Sequence, residues 1–398
     1  MARQLKPKLG LTDFNLKGIY ISTYIPRRCG IATYTKDLTN GINVLNPKYL
    51  AEILAMDDTR ETVEYPWEIK YHIRKDNEKD YLSAAKYINR SSCDFVSLQH
   101  EYGIFGGEDG QYILKLVQNI DKPLITTFHT TLLRPSEQQK SILNIIASES
   151  EACVVMIKEA ANRLKKIYRI KEDKILTIHH GVPNIPFSPS HFFKPQIGYS
   201  KKDFLIGAIN LIAPNKGLEY VIKALPQIKS VYPNVKFLMI GATHPLVKIN
   251  EDEHYRHKLK KLVKQLDLEA NFVEINEYIS LENLISYLKA LDVYITPYLD
   301  RNQTSSGTLA YAIGAGKVCI STPYIYANET LAQDRGIIVP QKDEKAIAYA
   351  VVNIIKKPTF REKIEKAAYQ YGRKMIWEHV ALEYLNLFSY VVNKKKSK

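Results

Sequence analysis

Short apolar, β-branched runs alternate with segments of helical spacing along nearly the whole chain, and this alternation restricts the fold more than any other feature. Strand, helix, strand joins parallel strands through right-handed crossovers. The pattern therefore predicts α/β architecture with doubly wound sheets. Strands read at 18–24, 51–55, 67–73, 95–98, 124–128, 152–156 and 174–178, with helices at 35–44, 81–88, 135–148 and 159–168. Residues 183–202 interrupt the series with four prolines and little periodicity, as a linker does. A second series then runs through strands at 204–209, 235–240, 271–275 and 318–321, with one more closing near Pro297. Its helices read at 218–231, 255–266, 280–290, 309–313 and 343–355, and a last helix spans 376–391. At 398 residues the chain exceeds the size at which single cores split. Two Rossmann-like domains are expected, 1–195 and 196–375.

Composition narrows the setting. The chain is 45% hydrophobic and 25% charged, an ordinary globular balance. No stretch approaches about 18 uninterrupted apolar residues, so neither a signal peptide nor a membrane span is expected. Cys29, Cys93, Cys153 and Cys319 are scattered without CxxC spacing, which suits buried thiols in a reducing compartment, the cytoplasm. The net charge of +14 suits either an acidic partner or a solvated lysine-rich surface. Lysines spread along helix faces, such as Lys258, Lys260, Lys261 and Lys264, favour the surface and give no nucleic-acid signal. The tail lysines Lys394, Lys395, Lys396 and Lys398 read as a frayed terminus or as a peripheral contact with anionic membrane.

The loops that follow strands hold the candidate chemistry, because ligands of doubly wound sheets collect at the strands' carboxyl ends. These loops are 27–34, 99–107, 129–131, 213–217, 241–245 and 301–309. Ser305, Ser306, Gly307 and Thr308 precede a small-residue helix that Gly314 and Gly316 stop, and such a helix start favours an anion, typically phosphate. Lys216, followed by Gly217 at another helix start, is either a diphosphate clamp or a surface lysine. Gly30, flanked by Arg27 and Arg28, sits where backbone can approach a ligand closely. His129 ends a buried strand and is either a satisfied core histidine or a group that orients substrate hydroxyls. His254 and His257 lie in a lysine-rich helix and make no site by themselves. With no HExxH, DxD or Walker loop, neither metal nor bound cofactor is expected.

Taken in order, CGIATYT (29–35), TTFHTT (126–131), HHGVP (179–183), PNKGLEYVIKAL (214–225), LDVYITPY (291–298) and SSGTLAYAIGAGKVCIST resemble the retaining GT-B nucleotide-sugar transferases of group 1 (family 4-like). The likeness spans almost the full length. QHEYGIFGGEDG, GATHP and STPYIYANE are similar to a bacterial and archaeal subgroup, some of whose members handle mannosyl donors. The resemblance implies a donor nucleotide, GDP-mannose in that subgroup, held by the C-terminal domain, and a sugar or glycolipid acceptor held by the N-terminal one. It implies a cleft between the two domains, and a helix over 376–398 that crosses back to the N-terminal domain. Lys216 and the amides of Ser306, Gly307 and Thr308 would hold the diphosphate, with Gly30 and Ile31 closing from the other domain. His129 would stand near the transferred sugar, His100, Glu101, Gly106 and Gly107 on the acceptor side, and Thr243 and His244 near the base.

Departures accompany the likeness. The two glutamates that the family carries at the phosphate loop fall on Asn302 and Ala310, and the arginine before the lysine falls on Leu211. Glu329 and Arg256 are the residues placed to compensate. The charge pattern implies metal-independent, front-face transfer with retention of configuration, fixed cations and amides stabilising the leaving diphosphate. A sugar phosphorylase of the same fold, a nucleotide-sugar epimerase and a catalytically weakened nucleotide-sugar binder are the alternative readings.

Overall fold

A computed structural model describes residues 14–58, 64–243 and 253–396. They form two compact units, Met1–Gly181 with Trp377–Lys398, and Val182–Ile376.

The N-terminal unit is a parallel sheet of β1 (Gly18–Ser22), β2 (Glu52–Asp57), β3 (Ile69–Arg74), β4 (Phe95–His100), β5 (Leu124–Phe128), β6 (Ser150–Val155) and β7 (Ile175–Thr177). Its order is β3-β2-β1-β4-β5-β6-β7. β1, β4 and β5 are buried along their whole length, as parallel strands covered on both faces must be. The helices are α1 (Gly30–Leu45), α2 (Glu78–Arg90), α3 (Ile113–Val117), α4 (Glu137–Glu149) and α5 (Lys158–Lys166). α1 begins five residues before the helical spacing does, because Cys29 takes the N-cap and its Sγ accepts the Ala32 amide at 3.4 Å. α4 carries a full capping box between Ser136 and Gln139.

The C-terminal unit is a second parallel sheet of β8 (Phe204–Ile209), β9 (Val235–Ile240), β10 (Phe272–Ile275), β11 (Val293–Thr296), β12 (Val318–Ser321) and β13 (Ile337–Ile338), in the order β10-β9-β8-β11-β12-β13. Helices α6 (Leu218–Val231), α7 (His254–Gln265), α8 (Leu281–Ala290), α9 (Gly307–Gly314), α10 (Ile325–Thr330), α11 (Glu344–Lys356) and α12 (Pro358–Gly372) complete it. The proline-rich stretch belongs to this unit. Asp292, 1% exposed at the foot of β11, takes Lys194 Nζ at 2.7 Å, Arg361 at 3.0 Å and the Ser190 hydroxyl at 2.6 Å. The units therefore divide at 181/182 and 376/377, against the sequence-based 195/196 and 375/376.

The last helix, α13 (Trp377–Lys396), returns to the N-terminal unit. Phe388 stacks on Phe95 at 4.1 Å, and the Tyr384 hydroxyl lies 2.9 Å from that of Thr127 and 3.0 Å from that of Tyr34. No described helix is long and apolar enough to cross a membrane.

Candidate functional site

In the C-terminal sheet the chain moves from β8 outward to β10, then returns to place β11 against β8. The reversal leaves a crevice at the carboxyl ends of β8 and β11, the place where such sheets take ligands. Lys216 lies after β8, Tyr298 and the start of α9 after β11. Leu299 donates its amide to the Asn215 carbonyl at 2.9 Å, joining the two loops. Gly217 makes the approach possible: its φ is +64°, and a Cβ there would stand 2.3 Å from the Pro297 carbonyl oxygen.

Lys216 Nζ sits 4.0 Å above the centre of the Tyr298 ring. It makes no hydrogen bond or ion pair among the described residues. Burial lowers its ammonium to about 8, with Asp300 opposing the fall. Tyr298 itself is buried, and burial pushes its hydroxyl up to about 12 while the Thr308 and Ser306 hydroxyls pull it back. That contact, with the Thr308 and Ser306 hydroxyls acting on the same tyrosine, links the lysine to the start of α9. Ser306 occupies the N-cap position with no side-chain capping bond, so the first amides of α9 lack a side-chain acceptor. The structure thus brings Lys216, Ser306, Gly307 and Thr308 together.

Tyr324 stacks beneath Tyr298 at 5.1 Å and 21°. Neither tyrosine was anticipated, although the signal was present: Thr-Pro-Tyr closes both adjacent strands, at 296–298 and 322–324.

Arg256 and Thr243 are joined in one hydrogen-bond network. Arg256, 2% exposed, donates to Thr243 Oγ1 at 2.7 Å, to Glu274 at 2.7 Å and to the Gly241 carbonyl, while Thr243 donates to Glu253 at 2.6 Å. Arg256 and Thr243 tie α7 to the turn after β9. His244 lies outside the described residues. Glu329 lies on α10, and its carbonyl accepts from Arg335 at 2.8 Å. Asn302 is exposed on the loop, whereas Ala310 is fully buried, so a carboxylate at that position would enter the core. Leu211 is half-buried after β8.

The N-terminal sheet reverses between β1 and β4. After β1, Gly30 opens α1 with nothing within 4 Å of where a Cβ would stand, and Ile31 follows half-buried. Tyr34, one turn on, meets His129 edge-on at 4.9 Å and His180 at 5.1 Å. Gln99 Oε1 lies 2.9 Å from His129 Nε2. Burial, with His180 and His100 nearby, lowers His129 to about 3, so its ring is neutral. Gln99 is a third residue the sequence reading missed; its strand pairs with β5, which His129 follows, in the register Gln99–Thr127.

His100 was expected on an acceptor loop; it ends β4 instead. It is fully buried among Tyr102, Phe105 and Phe128, neither ring nitrogen has a hydrogen-bond partner, and burial lowers it to about 3. Glu101 accepts from the Thr130 hydroxyl at 2.5 Å and the Tyr102 amide at 3.0 Å, linking the loops after β4 and β5. Burial raises its carboxyl. Gly106 and Gly107 line a cavity of about 340 Å³ with Lys75, Asp76, Tyr102 and Asp109. A Cβ on Gly106 would stand 1.9 Å from the Lys75 carbonyl oxygen. Among the described residues no group of three His, Cys, Asp or Glu side chains could hold a metal ion.

Two Rossmann-like parallel sheets, each with polar groups at its reversal, define a GT-B protein. The family model for glycosyl transferases group 1 matches residues 190–371, nearly all of the C-terminal unit. An uncharacterized glycosyltransferase of Methanocaldococcus jannaschii is 24% identical over 252 residues, 61% of each chain. A phosphatidyl-myo-inositol mannosyltransferase of Mycolicibacterium smegmatis is 21% identical over 278 residues, 69% of this chain and 67% of that one. This chain therefore spans only about three fifths to two thirds of those relatives. The solved structure of HepE from Anabaena, in complex with UDP, has a TM-score of 0.74 at 12% identity and covers 94% of this chain and 100% of its own. The C-terminal match, the relatives and the fold all fit a group 1 glycosyltransferase.

Proposed function

We propose that the protein transfers a hexosyl group, mannose in the first instance, from a nucleoside-diphosphate sugar to a sugar or glycolipid acceptor, with retention and without a metal. One observation carries the reading. Lys216 Nζ, with no hydrogen bond or ion pair among the described residues, stands over Tyr298 beside the uncapped start of α9, at the reversal of the C-terminal sheet. A diphosphate there meets one ammonium and a set of amides, a charge arrangement that needs no cation. As the glycosidic bond breaks, negative charge grows on the leaving phosphate, and these fixed donors stabilise it in the transition state. The sugar becomes oxocarbenium-like, and the phosphate oxygen it leaves takes the acceptor proton from the same face. Neutral His129 acts by hydrogen bonding rather than as an acid. The acceptor enters the cavity beside Gly106 and Gly107, whose volume suits one or two sugar rings.

The mannosyltransferase among the relatives supports mannose, and the UDP in complex with HepE supports a nucleotide ligand. Incubation with GDP-, UDP- and ADP-sugars and an oligosaccharide panel tests the reading. A glycosylated product with retained anomeric configuration, formed in the presence of EDTA, is expected. Product from a disaccharide and inorganic phosphate alone would replace this reading with phosphorolysis.

A further inference from the structure

A groove of about 870 Å³ opens where β1, β2 and β3 begin, at the edge of the N-terminal sheet away from Gly30 and His129. Its volume falls within the range of small-molecule sites. Five cations line it, Lys17, Lys48, Lys70, Lys86 and Arg90, against one carboxylate, Glu52. Lys86 and Arg90 lie four residues apart on the exposed side of α2 and make no hydrogen bond or ion pair among the described residues. Aromatic rings stand between the charges. Trp67, 61% exposed, has Lys70 Nζ 5.4 Å from its ring centre. Lys17 and Lys48 both lie over Tyr49, at 5.0 and 5.3 Å, and Tyr71 meets Tyr87 at 5.3 Å.

Net positive charge with unpartnered cations selects an anion. Exposed ring faces beside those cations select a ligand with flat apolar faces of its own, which the C–H face of a pyranose supplies. The groove is concave and bounded, unlike the broad apolar surface that enters a bilayer. We propose that this groove is a second, non-catalytic site for an anionic saccharide, one whose sugar units bear phosphate or carboxylate groups. The sugar faces lie on Trp67 and Tyr71, and the anionic groups meet Lys86 and Arg90. The site is independent of the donor assignment in the C-terminal unit.

Trp67 reports on it directly, since the chain's other tryptophan, Trp377, is buried. The full-length protein is titrated, with tryptophan emission as readout, using oligogalacturonate as the carboxylate probe, mannose 6-phosphate as the phosphate probe, neutral maltohexaose, and phosphatidylglycerol vesicles. At least one charged saccharide should change the emission, more weakly as salt rises. The signal should vanish in Trp67→Phe, and K86E/R90E should weaken binding by about tenfold or more without shifting the melting temperature. The probe that binds identifies the anion. Equal binding of maltohexaose, unaltered binding by K86E/R90E, a response to vesicles alone, or no response to either charged saccharide would each overturn the proposal.

Discussion

Lys216 carries a charge that the fold disfavours. It is lowered to about 8 because burial disfavours the ammonium and Asp300 only partly compensates. A bound diphosphate supplies the missing counter-charge, so ligand binding and protonation reinforce one another. Nucleoside-diphosphate affinity should hold steady below pH about 8 and fall as the pH rises through it. A titration at pH 7 and pH 9 checks this, and a flat profile would remove the lysine from the site. Lys216→Ala should reduce turnover by about two orders of magnitude or more, measured as kcat/KM, as expected for lost transition-state charge stabilisation. Histidines give the opposite kind of pH dependence. His100 and His129 are lowered to about 3 and His180 to about 4, all chiefly by burial. Their unfolded forms titrate near 6.5, so below that pH the unfolded chain binds more protons and stability falls as pH falls toward 4. Urea unfolding at pH 7 and pH 5 should show it, and His100→Leu should flatten the slope. An unchanged slope in that variant would mean His100 is not sealed as described.

At the scale of elements, glycines separate structure from function. Gly217→Ala combines a φ of +64° with a backbone clash at 2.3 Å, and should destabilise the protein by about 1–3 kcal/mol. Gly30→Ala meets nothing within 4 Å and should leave the melting temperature unchanged while lowering activity. Equal thermal shifts in the two variants would contradict this division. Asp292 makes a further case. Asp292→Ala leaves buried Lys194 without its carboxylate and half-buried Arg361 with the Glu365 carboxylate alone, and should cost about 3–5 kcal/mol in denaturant unfolding. Strands buried on both faces were legible: β5, β8, β9 and β12 lie where continuous apolar runs put them. Elements without such a run were not. α1 starts at Gly30 because a cysteine caps it, a residue the usual capping preferences pass over. β4, read at 95–98, extends through Gln99 and His100, whose polarity hid the end of a strand that is buried throughout. α10 is six residues, too short to show a period.

For the whole molecule, alternation of strand and helix was enough to give two parallel sheets, because crossover handedness leaves few other arrangements. Strand order was not readable from alternation, yet it decides the site: the reversals between β8 and β11 and between β1 and β4 choose which loops meet. Lys216 and the start of α9, 90 residues apart in sequence, become neighbours through that reversal and through the tyrosine between them. Arg256, by contrast, reads in sequence as a residue placed to compensate for the altered phosphate loop, but its hydrogen-bond partners come from the turn after β9 and from β10, and only the folded chain reveals them. The central claim is that Lys216 and α9 together grip a diphosphate. Calorimetric titration of GDP and UDP, each against its monophosphate, into the wild type and Lys216→Ala tests it most directly. A charge-assisted contact of about 1.5–3 kcal/mol predicts a diphosphate preference that the substitution lowers about 10- to 100-fold. Equal diphosphate affinity in the two proteins would contradict the claim.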